Sequence, residues 1–135
     1  MRRFDQYKRA LAVLSRANEQ DLSNEFVQSG VIGKFSLQFE LGWKTLKELL
    51  RYEGDASAAT GSPREVLKSA YRYFDFIDED VWLSMLRGRN TIAHLYDEEA
   101  AVALLTRVTG EYIPAFRELC DGIESRYAET LRSID

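Results

Sequence analysis

The chain has 135 residues, of which 45% are hydrophobic and 30% charged, with a net charge of -4. This is an ordinary globular composition, and the acidic balance argues against a general nucleic-acid coat protein, although a local basic patch is still compatible with it. The single cysteine, Cys120, excludes an internal disulfide, and one histidine with one cysteine excludes the usual zinc sites within one chain. We therefore expect no metal and no cofactor.

The longest apolar run near the N-terminus covers residues 11–14, which is too short for a signal peptide or a membrane span. We therefore expect a cytoplasmic protein. No repeat or linker divides the chain, so residues 1–135 are predicted to form one domain.

The hydrophobic periodicity is helical along the whole chain. A first helix is predicted from about Arg3 to Glu19. Residues 20–33 are ambiguous, because Ser23 or Asn24 could cap a new helix while two glycines weaken it. The second helix runs to about Tyr52 and carries the widest apolar stripe, so it should lie at the centre of the fold.

The third helix begins with a capping box, in which Ser62 caps, a proline follows and Glu65 lies three residues after the serine. It is short and ends near Phe74. Asp78 is predicted to cap the fourth helix, with acidic residues in the first turn that complement the helix dipole.

Asp97 is predicted to cap the last helix, whose apolar stripe continues to Tyr127. Pro114 lies inside it, and we expect a kink near residues 110–114 rather than a break. Long helices joined by short loops indicate an all-α fold, an antiparallel up-and-down four-helix bundle with one additional short helix.

The segment of residues 86–97 concentrates polar groups around the single histidine. Arg89 falls on the apolar face of the fourth helix, where a guanidinium needs a carboxylate, a ligand phosphate or another subunit. His94 lies five residues further, about 140° around an ideal helix, so the two side chains of one chain converge poorly unless the helix ends between them. Two copies around a dimer axis could combine both pairs in one cleft. Alternatively, both residues make favourable contacts with the helix C-terminus.

Further candidates lie on the second and third helices. A basic stripe on the third helix could guide RNA or contact an acidic partner, or could be a solvated face: Arg64, Lys68 and Arg72. Glu40 and Lys44 could line the dimer cleft or form a simple ion pair. Trp43 could stack on a base, but its position on a core stripe favours packing.

These residues carry a resemblance. Arg89 and His94 have the R-x4-H form of HEPN domains, and Tyr96 extends it to the R-x4-H-x-Y of HepT-type toxins. Four blocks in order resemble, more closely, the nucleotidyltransferase substrate-binding proteins: Phe39-Glu40-Leu41-x-Trp43-Lys44-x-Leu46-Lys47, Ser62-Pro63-Arg64-Glu65-Val66, Trp82-Leu83-x-Met85-Leu86-x-x-Arg89-Asn90 and His94-x-Tyr96-Asp97-Glu98-Glu99. Gly88 and Ala93 depart from the residues that are frequent in the family.

The resemblance implies a helical bundle, a homodimer whose paired motifs face one another, and a separately encoded minimal nucleotidyltransferase as partner. One implied function is metal-independent RNA cleavage through Arg89, Asn90 and His94, silenced when the partner transfers AMP to Tyr96. The alternative is a non-catalytic subunit that presents a nucleotide or other substrate. In that case Arg89 would hold a phosphate, and Asn90 and Thr91 would supply hydrogen bonds.

Overall fold

The computed structural model describes residues 1–56, 61–94 and 97–134 of the chain. The helices are α1 (Arg2–Leu14), α2 (Glu25–Tyr52), α3 (Pro63–Tyr73), α4 (Glu79–Thr91), α5 (Glu98–Arg107), α6 (Ile113–Arg126) and α7 (Ala128–Ile134). Within the described ranges, 3₁₀ segments cover Ser15–Glu19 and Ile92–His94, and a π-helical segment covers Val108–Tyr112. The predicted all-α bundle is confirmed.

The predicted helix starts are confirmed by their caps. The side chain of Asn24 accepts the backbone N–H groups of Phe26 at 2.9 Å and Val27 at 3.2 Å. Asn24 is therefore the cap of α2, which settles the choice that the sequence left between it and Ser23. Three further side chains accept backbone N–H groups at the starts of α3, α4 and α5: Ser62, Asp78 and Asp97.

The first helix differs from its prediction. Regular α-helix ends at Leu14, and the stretch to Glu19 is 3₁₀-helical. The tighter helix keeps Ala17 buried against the core. The buried face of the first helix therefore continues past the end of the regular α-helix into the 3₁₀ segment.

The last helix differs more. Where the sequence predicts a kink, the chain passes without a break from α5 through the π-helical segment into α6, with Pro114 in the first turn of α6. Proline has no N–H to give the carbonyl four residues back, and the wider π turn takes up this irregularity. Tyr127 ends α6, and α7 was not predicted.

Helix α2 is central, as predicted, because it packs against α1, α3, α4, α5 and α6. A Cβ added at Gly42 would lie 2.9 Å from the indole of Trp82, so a glycine here lets α4 approach α2 closely. The aromatic ring of Phe39 packs beside that indole, with ring centroids 6.1 Å apart. This close contact brings the polar end of α4 against α2. Among the described residues, no helix combines the length and the apolar content needed to cross a bilayer.

Candidate functional site

Arg89 reaches from α4 to α2. Its guanidinium donates to the carboxylate of Glu40 and lies over the ring of Phe39, 5.4 Å from the ring centroid. The Arg89 side chain is 24% exposed, so the ion pair lies at the edge of the core rather than in open solvent. Of the three partners that the sequence allowed for this arginine, the chain itself supplies the carboxylate.

The carboxylate of Glu40 also gathers groups from its own helix. Its Oε2 lies 3.4 Å from Nζ of Lys44 and accepts the indole N–H of Trp43 at 3.2 Å. Trp43 itself is 9% exposed, which fits the packing role favoured by the sequence. Glu40, Trp43, Lys44 and Arg89 therefore form one cluster, with two cations around one carboxylate. The positive surplus makes the cluster a potential anion site.

The rest of the motif follows α4 to its end. The side-chain carbonyl of Asn90 accepts from Nε of Arg89 at 3.2 Å, and the hydroxyl of Thr91 donates to the carbonyl of Gly88 at 2.9 Å. The α-helix becomes 3₁₀-helical at residue 92, between Arg89 and His94. The angle of about 140° that an ideal α-helix would place between Arg89 and His94 therefore does not apply. His94 is exposed at the end of the 3₁₀ segment.

The remaining candidates lie apart from this cluster or outside the described part of the chain. Tyr96 falls in residues 95–96, which lie outside the described residues. The basic stripe lies on the exposed face of α3: Arg64, Lys68 and Arg72. Within the described residues, no hydrogen bond or ion pair joins that stripe to Glu40 or Arg89. The stripe and the cluster are thus separate features.

Two polar clusters among the described residues were not predicted from the sequence. At the end of α2, Glu53 accepts hydrogen bonds from Tyr73 and Tyr127, each at 2.8 Å. These donors, that of Tyr73 first, hold the pKa of Glu53 below its usual value. The guanidinium of Arg126 lies over the rings of Tyr73 and Phe74, at 5.3 and 5.1 Å. Residues 53 and 127 are too distant in sequence for any spacing to have joined them.

The second cluster ties α4 to the π-helical segment. The hydroxyls of Ser84 and Tyr112 share a hydrogen bond of 2.6 Å, and the guanidinium of Arg107 donates to Ser84 at 3.0 Å. Arg107 also interacts with the hydroxyl of Tyr112. This interaction is the main cause that raises the pKa of the Arg107 guanidinium. This network fixes the position of α4, and hence of its C-terminal end, relative to the last helices.

Residues 2–125 match the family described as nucleotidyltransferase substrate binding protein like. The chain belongs to this family. A protein of Haemophilus influenzae named probable ribonuclease HepT is 28% identical over 112 residues, which cover 78% of this chain and 76% of that protein.

Two solved structures share the fold of this chain. One, from Haemophilus influenzae, is described as showing the fold of a substrate-binding domain of a nucleotidyltransferase. It superposes with a TM-score of 0.75 at 21% identity and covers 87% of this chain and 96% of that chain. A protein of Thermus thermophilus has a TM-score of 0.71 at 23% identity, with 84% and 94% covered. At these identities the likeness establishes the helical fold.

Proposed function

We propose that this chain is a metal-independent endoribonuclease that acts as a homodimer and is controlled by a separate minimal nucleotidyltransferase. The observation that carries the proposal is the arrangement at the end of α4. Arg89, a cation that already pairs with a carboxylate, lies in the last turn of α4, and the exposed His94 ends the 3₁₀ segment that follows this helix. The 28% identity to a protein named probable ribonuclease HepT supports the same activity.

The chemistry needs two acid–base groups. The 2′-oxygen of the RNA attacks the adjacent phosphorus and the bond to the 5′-oxygen breaks, which leaves a cyclic phosphate and a 5′-hydroxyl. One imidazole takes the 2′-proton and a second gives a proton to the leaving oxygen. Arg89 stabilises the extra negative charge on the phosphorane oxygens. Because each chain has one histidine, two copies of His94 must share the cleft.

The test is cleavage of a broad set of RNAs by the wild-type protein, without partner, and by three variants. His94→Ala and Arg89→Ala should each lower the rate by about 100-fold or more, the usual contribution of a positioned acid–base group or of an oxyanion-binding group. Arg126→Ala is the matched control, since this exposed arginine also stacks on aromatic rings but lies outside the motif. It should retain wild-type activity. Full activity of His94→Ala, or no cleavage by the wild type, contradicts the proposal.

Control by the nucleotidyltransferase would act at Tyr96. The tyrosine oxygen attacks the α-phosphorus of ATP and pyrophosphate leaves, so that AMP is joined to the ring through a phosphodiester. The added negative charge two residues from His94 would repel RNA and block the cleft. After incubation with the partner and ATP, mass spectrometry should locate one AMP on Tyr96. An unmodified chain, or modification elsewhere, removes this mode of control.

One observation favours a second function, the presentation of a nucleotide to the nucleotidyltransferase. Arg89 and Lys44 converge on a single carboxylate and so form an anion site that does not involve His94. Calorimetric titration with ATP separates the two functions. Nucleotide binding that survives His94→Ala but is lost in Arg89→Ala, in a protein that cuts no RNA, supports presentation of a nucleotide.

A further inference from the structure

The indole of Trp43 holds two lysine side chains. The ammonium nitrogen of Lys44 lies 5.9 Å from the ring centroid, and that of Lys47 lies 5.8 Å from it. Trp43 is buried and its N–H donates to Glu40, so the ring has a fixed position. Because the face of an indole attracts ammonium groups, the ring keeps both long side chains close to one place on the surface of α2.

The charge of Lys47 is not balanced by an acid. Both oxygens of Glu40 already accept from other groups. The carboxylate of Glu48, the next residue in the chain, pairs with Arg3 at 2.8 Å. Among the described residues, no carboxylate lies within ion-pair distance of Nζ of Lys47. Lys47 is thus a cation that an aromatic ring holds in place and that is open to an anion.

Lys47 continues the cluster around Glu40. Residues 40, 44 and 47 are four and three positions apart, which places them along one face of α2. At 1.5 Å per residue, Lys47 is about 4.5 Å beyond Lys44 along the helix axis. Arg89 meets the other end of this line, at Glu40. We name Arg89, Lys44 and Lys47 the cation row; together with the one carboxylate it carries a net charge of +2.

The cation row has room for more than one phosphate. Arg89 and Lys44 contact the two oxygens of a single carboxylate, and a phosphate offers the same pair of oxygens on one phosphorus atom. One phosphate in the place of that carboxylate therefore pairs with both of these cations. Lys47 is left for a second anion further along α2. A lone phosphate fills the first place only, whereas a nucleic-acid strand offers a second phosphate next to the first.

We propose that Lys47 binds the phosphate next to the scissile phosphate of an RNA strand, while Arg89 and Lys44 hold the scissile phosphate itself. This inference rests on the proposed ribonuclease function and deepens it, because it defines the substrate as a strand with at least two phosphates. Arg89 keeps its place at the phosphorane. Lys47 holds the strand in register and takes no part in bond making or breaking.

The first test measures RNA binding without cleavage, by fluorescence anisotropy of a short fluorescein-labelled oligouridylate in a His94→Ala background. Lys47→Gln should weaken binding several-fold at about 0.1 M salt. The dependence of log K on log salt should become shallower by about 0.7, the value for one lost phosphate contact on a single strand. Lys47→Arg keeps the positive charge and should restore most of the affinity.

The matched control is Lys8→Gln. Lys8 is also a half-buried lysine held over an aromatic ring, 5.1 Å from the centroid of Phe4, but it lies on α1 and outside the cation row. Its removal should leave both the affinity and the salt dependence close to those of the parent. Unchanged binding by Lys47→Gln, or an equal loss in Lys8→Gln, overturns the proposal.

The second test is kinetic and uses the protein with His94 intact. Lys47→Gln should raise KM and leave kcat near the wild-type value, because the contact is equally strong in the bound substrate and in the transition state. A trinucleotide taken from a cleaved RNA has two phosphates and should be cut more slowly by the variant at the linkage that the wild type prefers. The dinucleotide has only the scissile phosphate, and its cleavage should not depend on Lys47. An equal loss on both substrates contradicts a contact with the neighbouring phosphate.

Calorimetric titration with ATP distinguishes an RNA strand from a free nucleotide as the source of the phosphates. ATP binding that weakens in Lys47→Gln while oligouridylate binding does not overturns the assignment to RNA. The proposed function fails separately from the Lys47 site. Wild-type protein that binds oligouridylate through Lys47 but cuts no RNA overturns the ribonuclease and supports the site. Cleavage by the wild type with unchanged binding by Lys47→Gln overturns only the site.

Discussion

Two glutamates on α2 and at its end show how the same side chain serves different parts of the molecule. Glu40 and Glu53 each accept from groups on other helices and each join distant parts of the chain. The donors differ. Glu40 faces the cations Arg89 and Lys44, whereas Glu53 accepts from two neutral tyrosine hydroxyls.

The difference lies in charge balance. The hydroxyls around Glu53 stabilise its charge without adding any, and they fasten the end of α2 to Tyr73 and to Tyr127. The cations around Glu40 exceed its single charge, so a phosphate could replace the carboxylate and keep both of them paired. The cluster around Glu53 is suited to holding the fold together, and the one around Glu40 to exchanging one anion for another.

The largest effect that separates the two clusters is expected from Glu40→Gln. Removing this carboxylate frees Arg89 and Lys44 for a phosphate, so single-stranded RNA should bind several-fold more tightly at about 0.1 M salt. The dependence of log K on log salt should steepen by about 0.7 for one extra phosphate contact. Fluorescence anisotropy in a His94→Ala background measures binding without cleavage.

The matched control is Glu53→Gln, which makes the same change of charge at the end of the same helix. RNA affinity should stay within about twofold of its parent, because the site lies outside the cleft and exposed charges are screened beyond about 10 Å at 0.1 M salt. Weaker RNA binding by Glu40→Gln would show that the carboxylate positions Arg89 instead of competing with phosphate.

A smaller effect, on stability, is expected from Glu53→Gln. An amide is a weaker acceptor for Tyr73 and Tyr127, and the unfolding free energy at neutral pH should fall by about 1 kcal/mol. The folded-state pKa of Glu53 lies below its usual 4.5, so the extra stability of the wild type over Glu53→Gln is fully present at pH values above 4.5. It is lost as the pH falls through the folded pKa.

Urea unfolding at neutral pH and in acid checks this prediction. The difference in unfolding free energy between wild type and Glu53→Gln should disappear on acidification. A gap of the same size at both pH values would mean that packing, rather than the charge of the carboxylate, accounts for the difference.

Features that depend on neighbouring residues could be predicted from the sequence. The caps at Ser62, Asp78 and Asp97 were readable because a cap and its helix are adjacent in the chain. The position of Arg89 on an apolar face correctly indicated that it needs a partner. The sequence did not predict which residue is the partner of Arg89. Glu40 is 49 residues away, and the close approach of α4 to α2 depends on the contact of Gly42 with Trp82.

The corrections have the same origin. The sequence predicted a kink before Pro114 but not the π turn found there, in which Tyr112 hydrogen-bonds to Ser84 of α4. Local propensity does not report such a tertiary contact. The cluster around Glu53 draws on residues up to 74 positions apart and left no local pattern in the sequence.

The most direct test of the central claim, a cleft shared by two histidines, is the cleavage rate of mixed dimers. Wild-type and His94→Ala chains are dissociated, mixed at varied ratios and reassociated at constant total concentration. If both histidines act in one reaction, activity follows the square of the wild-type fraction, so an equal mixture retains about a quarter of full activity because about a quarter of random pairs are wild type in both chains. An activity that falls in direct proportion to the wild-type fraction, or no cleavage by the wild type itself, would contradict the shared cleft.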